Sequence, residues 1–255
     1  MNREASQSDT IEAAFSASQL LATFDSAARA LLEAHAELIT LEPGDIVLTR
    51  GEQVRFSVFP VGETMISMAV ELSGGRTVEV ASIGREGAVG GIVSCGFAPA
   101  FSRAVCLVGG QALRIPMSAL EDAKSRSAFI GNLFCRFSDY LLAQVMQSVA
   151  CHAFHSIPER AARWLLHAQD RAGDRIELTQ EAFAGLLGVQ RTTVNAVIKE
   201  LSLEGLVTTG RGKLKVVDRE GLERRSCECY ARLGDHFSQV IGESGSGTRP
   251  DPRFD

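Results

Sequence analysis

Pro116 divides the chain into two textures, and few folds accommodate both. From Glu42-Pro43-Gly44-Asp45 onward, short apolar runs alternate with glycine turns. The runs are Ile46-Val47-Leu48, Val54 to Val61, Met65 to Leu72, Val78 to Ile83 and Ala104 to Val108, and Gly62, Gly74-Gly75, Gly84 and Gly87 punctuate them. A turn about every 8–12 residues predicts a small antiparallel sandwich or barrel. Beyond Pro116, residues 118–152 hold no proline and one glycine, Gly131. Apolar side chains recur there at Phe129, Ile130, Leu133, Phe134, Phe137, Tyr140, Leu141, Val145 and Val149, a nearly heptad spacing that predicts one long helix. About 30 helical residues reach ~45 Å, more than a small domain needs. Part of that helix is therefore expected to pack on the same helix of a second copy. The alternative is a helix packed wholly on its own sheet.

The flanking segments follow from the same reading. Residues 1–23 are Ser/Ala-rich and polar, and are expected to form a flexible arm. Residues 24–40 show helical spacing at Leu31, Leu32, His35, Leu38 and Ile39. Ser156-Ile157-Pro158-Glu159-Arg160 ends the long helix and starts another, since proline suits a first helical turn. Arg175 to Leu178 reads as a short strand. The Gly/Ser-rich end places a flexible tail over residues 230–255. The expected organisation is thus arm 1–23, β-roll 24–117, connecting helix 118–155, a C-terminal domain over 156–229, and tail.

Charge narrows the function. The whole chain carries 26 Lys and Arg against 31 Asp and Glu, net −5, so it is no general polyanion binder. Residues 190–215 reverse the sign, with Arg191, Lys199, Arg211, Lys213 and Lys215 against Glu200 and Glu204. A basic window on an acidic protein fits a small nucleic-acid-facing surface, or an ordinary solvated helix. No run approaches the ~18 apolar residues of a membrane span, and the polar N-terminus lacks the core of a secretory signal. The default expectation is a cytoplasmic protein that meets no membrane. Of six cysteines, Cys95, Cys106, Cys135 and Cys151 stand singly among apolar neighbours and read as core residues. Cys227-Glu228-Cys229 is the close pair; two thiolates are too few for a closed tetrahedral metal site without help, and the expectation there is no metal.

The segment Thr179 to Leu201 carries the sharpest signal. Thr179 is placed to cap one helix, and Gly188 stands where that helix must stop, in a left-handed conformation that costs glycine little. Ala184, four residues earlier, is small enough for two helices to cross closely. Phe183, Leu187, Val189, Val194 and Val197 supply a shared core. This is the helix-turn-helix plan, whose second helix enters the major groove of DNA. Gln190, Arg191, Thr192, Thr193, Asn195 and Lys199 then form a polar and basic face able to bond base edges and phosphates. Arg191 suits guanine, Asn195 adenine, and the threonine methyls thymine. Val207 to Val217 reads as a hairpin with a Gly210-Arg211-Gly212-Lys213 tip, a basic wing whose Arg211 and Lys213 face phosphate. Thr179 and Gln180 complete the expected contact set.

With these residues in order, the chain resembles the CRP/FNR family of bacterial transcription regulators over residues 24–229. The likeness rests on the Pro43-Gly44-Asp45 turn, on Thr77 to Gly90 as the strand entering the family's phosphate-binding cassette, on the long helix, and on Leu178-Thr179-Gln180 with Leu186-Leu187-Gly188-Val189. The fold expected is α+β: an N-terminal antiparallel β-roll, a long dimerisation helix and a C-terminal winged helix-turn-helix. The resemblance implies a homodimer joined through residues 118–155. It also implies an effector in the β-roll that changes how two recognition helices meet a near-palindromic duplex. RNA polymerase is carried as a further candidate partner.

The departures are specific. Cyclic-nucleotide-binding members hold the ribose with a Gly-Glu pair, and Gly90-Gly91 stands there instead. Arg103 lies between Ser102 and Ala104, reversing the family's Arg-Ser order. The expectation is an effector other than cAMP, with Gly90, Gly91 and Arg103 as candidate contacts. The first 90 residues hold no cysteine, which argues against the family's iron–sulfur branch. Many members place an acidic residue after the recognition arginine; here it is Thr192, and a later base-contacting arginine falls on Ala196. A different operator follows. None of the five histidines sits in a hydrolase, metalloprotease or P-loop context, so no catalytic residue is expected. The competing reading is a small-molecule sensor whose helix-turn-helix no longer binds DNA.

Overall fold

The computed structural model describes residues 2–91, 98–210 and 212–242. The expected loose N-terminal arm is replaced by helix α1, Asn2–Ala17, followed by a single 3-10 turn, Leu21–Thr23. Phe15, Leu20 and Leu21 are fully buried in the core of the β-roll, which anchors a segment that its Ser/Ala content made look unattached. Asp25 caps α2, Ser26–Glu33, by accepting from the Ala28 amide at 2.7 Å. The expected 24–40 helix stops there. Glu37–Leu41 turns into strand β1 instead, because each of its residues pairs with one on β7, Gly110–Pro116.

The β-roll is two antiparallel sheets. One runs β1-β7-β3, with β3 being Phe56–Pro60. The other runs β2-β6-β4-β5, built from Ile46–Leu48, Arg103–Val108, Met65–Glu71 and Thr77–Ile83. Phe59, Ile66, Ile83, Ala104, Leu113 and Ile115 fill the space between them.

The predicted single helix after Pro116 is two helices. α3 spans Met117–Arg126, and α4 spans Ala128–Phe154. Ser127 breaks them apart, with extended backbone at φ −134° and an Oγ that accepts from the Ile130 amide at 3.3 Å. Most of the apolar series that suggested a second copy turns inward: Ile130, Leu133, Phe134, Phe137, Tyr140 and Leu141 are buried against the chain's own β-roll. Phe137 packs so close to Gly87 that a Cβ at that glycine would collide with the ring. One face of α4 stays uncovered, and Val149 of that series lies on it. Leu142, Met146 and Val149 are 56%, 65% and 67% exposed, at spacings of four and three.

The expected C-terminal tail is also corrected over its first part. Cys229–Ile241 is helix α9, which lies along α4, with Phe237 edge-on to Tyr140 at 4.9 Å between ring centroids. Residues 243–255 of that expected tail lie outside the described residues.

α5, Ile157–Ala172, opens on a Ser156/Glu159 capping box with Pro158 in its first turn. It is the floor of a second hydrophobic core, formed by Trp164, Leu165, Phe183, Leu187, Val194, Ile198 and Leu214. It also ties that core to the β-roll. The Trp164 indole N–H donates to Glu79 Oε1 on β5 at 2.7 Å, and Arg171 donates to Glu86 at 2.7 Å. Burial pushes the Glu79 carboxyl up to about 7, against the opposing pull of hydrogen bonds from Ser67 and Trp164.

Candidate nucleic-acid interface

Two helices and a hairpin build the site on the floor of α5. α6, Gln180–Leu187, begins at Thr179, whose Oγ1 accepts from the Ala182 amide at 3.1 Å. It ends at Gly188, in the left-handed region at φ 66° and ψ 35°, and the Gly188 N–H returns to the Ala184 and Gly185 carbonyls. A side chain would be strained at that angle, so the tight turn into the next helix depends on glycine. Gln190 then precedes α7, Arg191–Leu203. Buried Phe183, Ala184, Val194 and Val197 form the crossing, as their spacing predicts. The wing is β9, Val207–Gly210, paired in register with β10, Lys213–Val216; β8, Arg175–Glu177, extends the sheet on the far side of β10.

The outer edge of α7 presents Gln190, Arg191, Thr192 and Lys199, all exposed, with Ala196 between them. Thr193 is half-buried. So is Asn195, and its Oδ1 is shut away from solvent with no partner among the described residues. Of the side chains expected to read guanine and adenine, Arg191 is therefore exposed to do so, and Asn195 must first rotate its amide outward. Arg191 faces an open groove of about 420 Å³ that runs between the start of α6 and the wing, lined also by Thr179, Gln180, Thr209 and Lys213. Lys213 is exposed and pairs with Glu177 at 2.5 Å. Arg211 lies outside the described residues.

The two carboxylates that dilute the basic window do not face outward alone. Arg225, on α8 (Arg219–Arg225), pairs with both Glu200 and Glu204. Another arginine positions the motif from behind: buried Arg160 on α5 donates through Nη2 to the Leu187 carbonyl at 2.5 Å, holding the last turn of α6. No helix-turn-helix pattern points to Arg160. Its only sequence signal is a charge among apolar residues of a helix that must be buried.

The candidate effector residues are held by different partners. Gly90 and Gly91 turn at φ 98° and 65°; Ser57 Oγ donates to the Gly90 carbonyl, and a Cβ at Gly91 would collide with Met117 of α3. Arg103 on β6 pairs with Glu71 at 3.4 Å.

Residues 159–225 match the Crp-like helix-turn-helix domain family. The chain has the CRP/FNR fold and carries a Crp-like helix-turn-helix domain. A segment of 71 residues is 38% identical to the HTH-type transcriptional regulator Cmr of Mycobacterium tuberculosis, covering 28% of this chain and 28% of that protein. The chain thus matches little more than a quarter of this curated relative's length. The fold extends much further. The structure of FixK2 from Bradyrhizobium japonicum superposes with a TM-score of 0.65 at 16% identity, over 75% of this chain and 98% of that one. A CRP-family transcriptional regulator from Thermus thermophilus, TTHB099, superposes with a TM-score of 0.62 at 18% identity, over 74% and 96%.

Proposed function

We propose that this CRP/FNR-type protein is a dimeric, sequence-specific DNA-binding transcription regulator that acts in the cytoplasm. One observation carries the reading: the exposed edge of α7 is polar and basic, and the wing flanks it across an open groove. Arg191, Thr192 and Lys199 would enter the major groove, with Lys213 and Thr179 against the phosphates on either side. A helix-turn-helix retained only for packing would have no need of this uncovered edge. That weighs against the sensor-only alternative.

The dimer is part of the proposal. Leu142, Met146 and Val149 form an apolar stripe along the solvent side of α4, continued by Ala153. Two such stripes facing each other give a coiled-coil seam, and binding to a two-fold operator would require that dimer to present its two α7 helices to successive major grooves, about 34 Å apart. The control input is proposed to be other than cAMP. The Gly90-Gly91 turn has no carboxylate for a ribose, and it packs against Met117.

Selection of bound sequences from a randomised duplex tests this. The expected result is an inverted repeat whose half-sites are one helical turn apart. Recovery of no enriched sequence at physiological salt would overturn the reading.

A further inference from the structure

The end of α4 and the junction of α8 with α9 bring together four side chains that the DNA-binding reading leaves unused. Cys151 lies in the last turn of α4, and His155 caps it, four residues on and so on the same helical face. Cys227 and Cys229 bracket the start of α9. The three sulfurs and one imidazole nitrogen all lie within 4.8 Å of one another. Cys151 Sγ is 3.6 Å from Cys227 Sγ, and Cys229 Sγ is 3.4 Å from His155 Nδ1. The three thiols are buried and make a small core of their own, with no aliphatic residue in it.

We propose that Cys151, His155, Cys227 and Cys229 bind one zinc ion in a closed, four-coordinate site. A tetrahedron with Zn–S near 2.3 Å and Zn–N near 2.0–2.1 Å has edges of about 3.5–3.8 Å, and the two distances above are of that size. The surroundings suit the ion. His155 Nε2 lies 3.1 Å from Glu228 Oε2, so the carboxylate holds the ring proton on Nε2 and leaves Nδ1 free to ligate. Gln147 Nε2 donates to Cys229 Sγ at 2.9 Å, a bond that a zinc-bound thiolate can keep. Three thiolates and one Zn²⁺ leave a net charge of −1, and the nearby guanidinium groups of Arg160 and Arg163 act on Cys151. An iron–sulfur cluster fits poorly, because its bridged irons would spread their protein ligands more widely than this group, whose ligand atoms all lie within 4.8 Å of one another.

The site has a consequence for the fold. The chain leaves α4 at one pair of ligands, builds the whole winged helix-turn-helix, and returns at the other pair. The ion thus closes the base of that domain onto the helix carrying the exposed apolar stripe.

The test uses the full-length protein with zinc or cobalt(II) as probe. Metal analysis of protein purified without chelator is expected to give one zinc per chain. Cobalt(II) added to the chelated, reduced protein is expected to give the intense thiolate charge-transfer band and the visible bands of a tetrahedral site. Glu228→Gln, which removes no ligand, should weaken zinc binding by ~10–100-fold, and Cys135→Ser, an exposed cysteine elsewhere on α4, should leave stoichiometry at one. Cys227→Ser, which removes a ligand, should lose the cobalt–thiolate spectrum of the parent; should it fail to fold, the cobalt spectrum of the wild-type chain and the Glu228→Gln titration still decide. Less than a tenth of an equivalent of zinc with no cobalt–thiolate band overturns the proposal. So does a Cys151–Cys227 disulfide as the sole form isolated under reducing conditions.

Discussion

The Arg171 guanidinium of α5 closes on the Glu86 carboxylate of the β-roll at 2.7 Å, with both side chains almost wholly shielded from water. Glu86 also accepts from the Gly84 amide at 3.1 Å, and Arg171 donates to the His167 carbonyl at 3.0 Å. The carboxylate holds the arginine charged despite its burial. Removing one partner strands a charge in a dry interface. Arg171→Ala or Glu86→Ala should each lower unfolding free energy by about 3–5 kcal/mol. The apolar double change Glu86→Leu with Arg171→Met should recover most of the loss. Urea denaturation of the four proteins checks this; a double variant no more stable than the single ones would mean that the losses do not come from a stranded charge.

The second link across the same boundary is sensitive to pH. Burial raises the Glu79 carboxyl from 4.5 to about 7 in the folded protein. A raised folded value favours the protonated form, so the stability it contributes is full below about 4.5 and is lost as pH rises through about 7. The loss is bounded at roughly 3 kcal/mol. Trp164, the one tryptophan of the chain, donates to this carboxylate and reports on it directly. Its emission should titrate with a midpoint near 7, and Glu79→Gln should abolish the transition. A flat emission between pH 5 and 8 in the parent protein would contradict the assignment.

Legibility in the sequence followed how local each signal was. Thr179, Ala184, Gly188 and Val194 sit within sixteen residues, and the helix-turn-helix they build needs little beyond its own segment. Strand β1 was hidden because Leu38 and Ile39 continue the helical spacing of Leu31, Leu32 and His35, and only pairing with β7 makes the segment extended. β7 itself was unread, since Gly110-Gln111-Ala112-Leu113-Arg114 does not alternate cleanly. The long-helix prediction missed Ser127, whose capping hydroxyl cuts the run, and its apolar series did not separate the positions that the β-roll covers from those, such as Val149, that stay exposed. Cys151 and Cys227 are 76 residues apart, so no spacing rule brings them together. His236, the histidine nearest the cysteine pair on its C-terminal side, pairs with Asp139 instead.

The α4 stripe makes the assembly testable apart from DNA. Met146 is 65% exposed and contributes little to the subunit's own core. Met146→Glu should leave the melting temperature of the subunit fold within a few degrees while placing like charges across the proposed seam. Sedimentation should then show monomer where the parent protein is a dimer. A variant that stays dimeric would place the contact elsewhere on the molecule.

Reading and positioning should separate at the interface itself. Arg191 is exposed and faces the groove, so Arg191→Ala should cost ~1–3 kcal/mol on the selected operator and relax preference at one base pair. Lys213 starts from an exposed pair with Glu177, which is worth little in water. A phosphate can draw the lysine away, so Lys213→Ala should weaken all duplexes alike and reduce the salt slope by about one. Glu177→Gln should act oppositely, since it removes a carboxylate that competes for the same cation; binding should tighten modestly without a change in sequence preference. Fluorescence anisotropy on operator and scrambled duplexes at several salt concentrations measures all three. If Arg191→Ala weakened both duplexes equally, that side chain would be a phosphate contact, and the reading of bases would have to rest on Thr192 and Lys199.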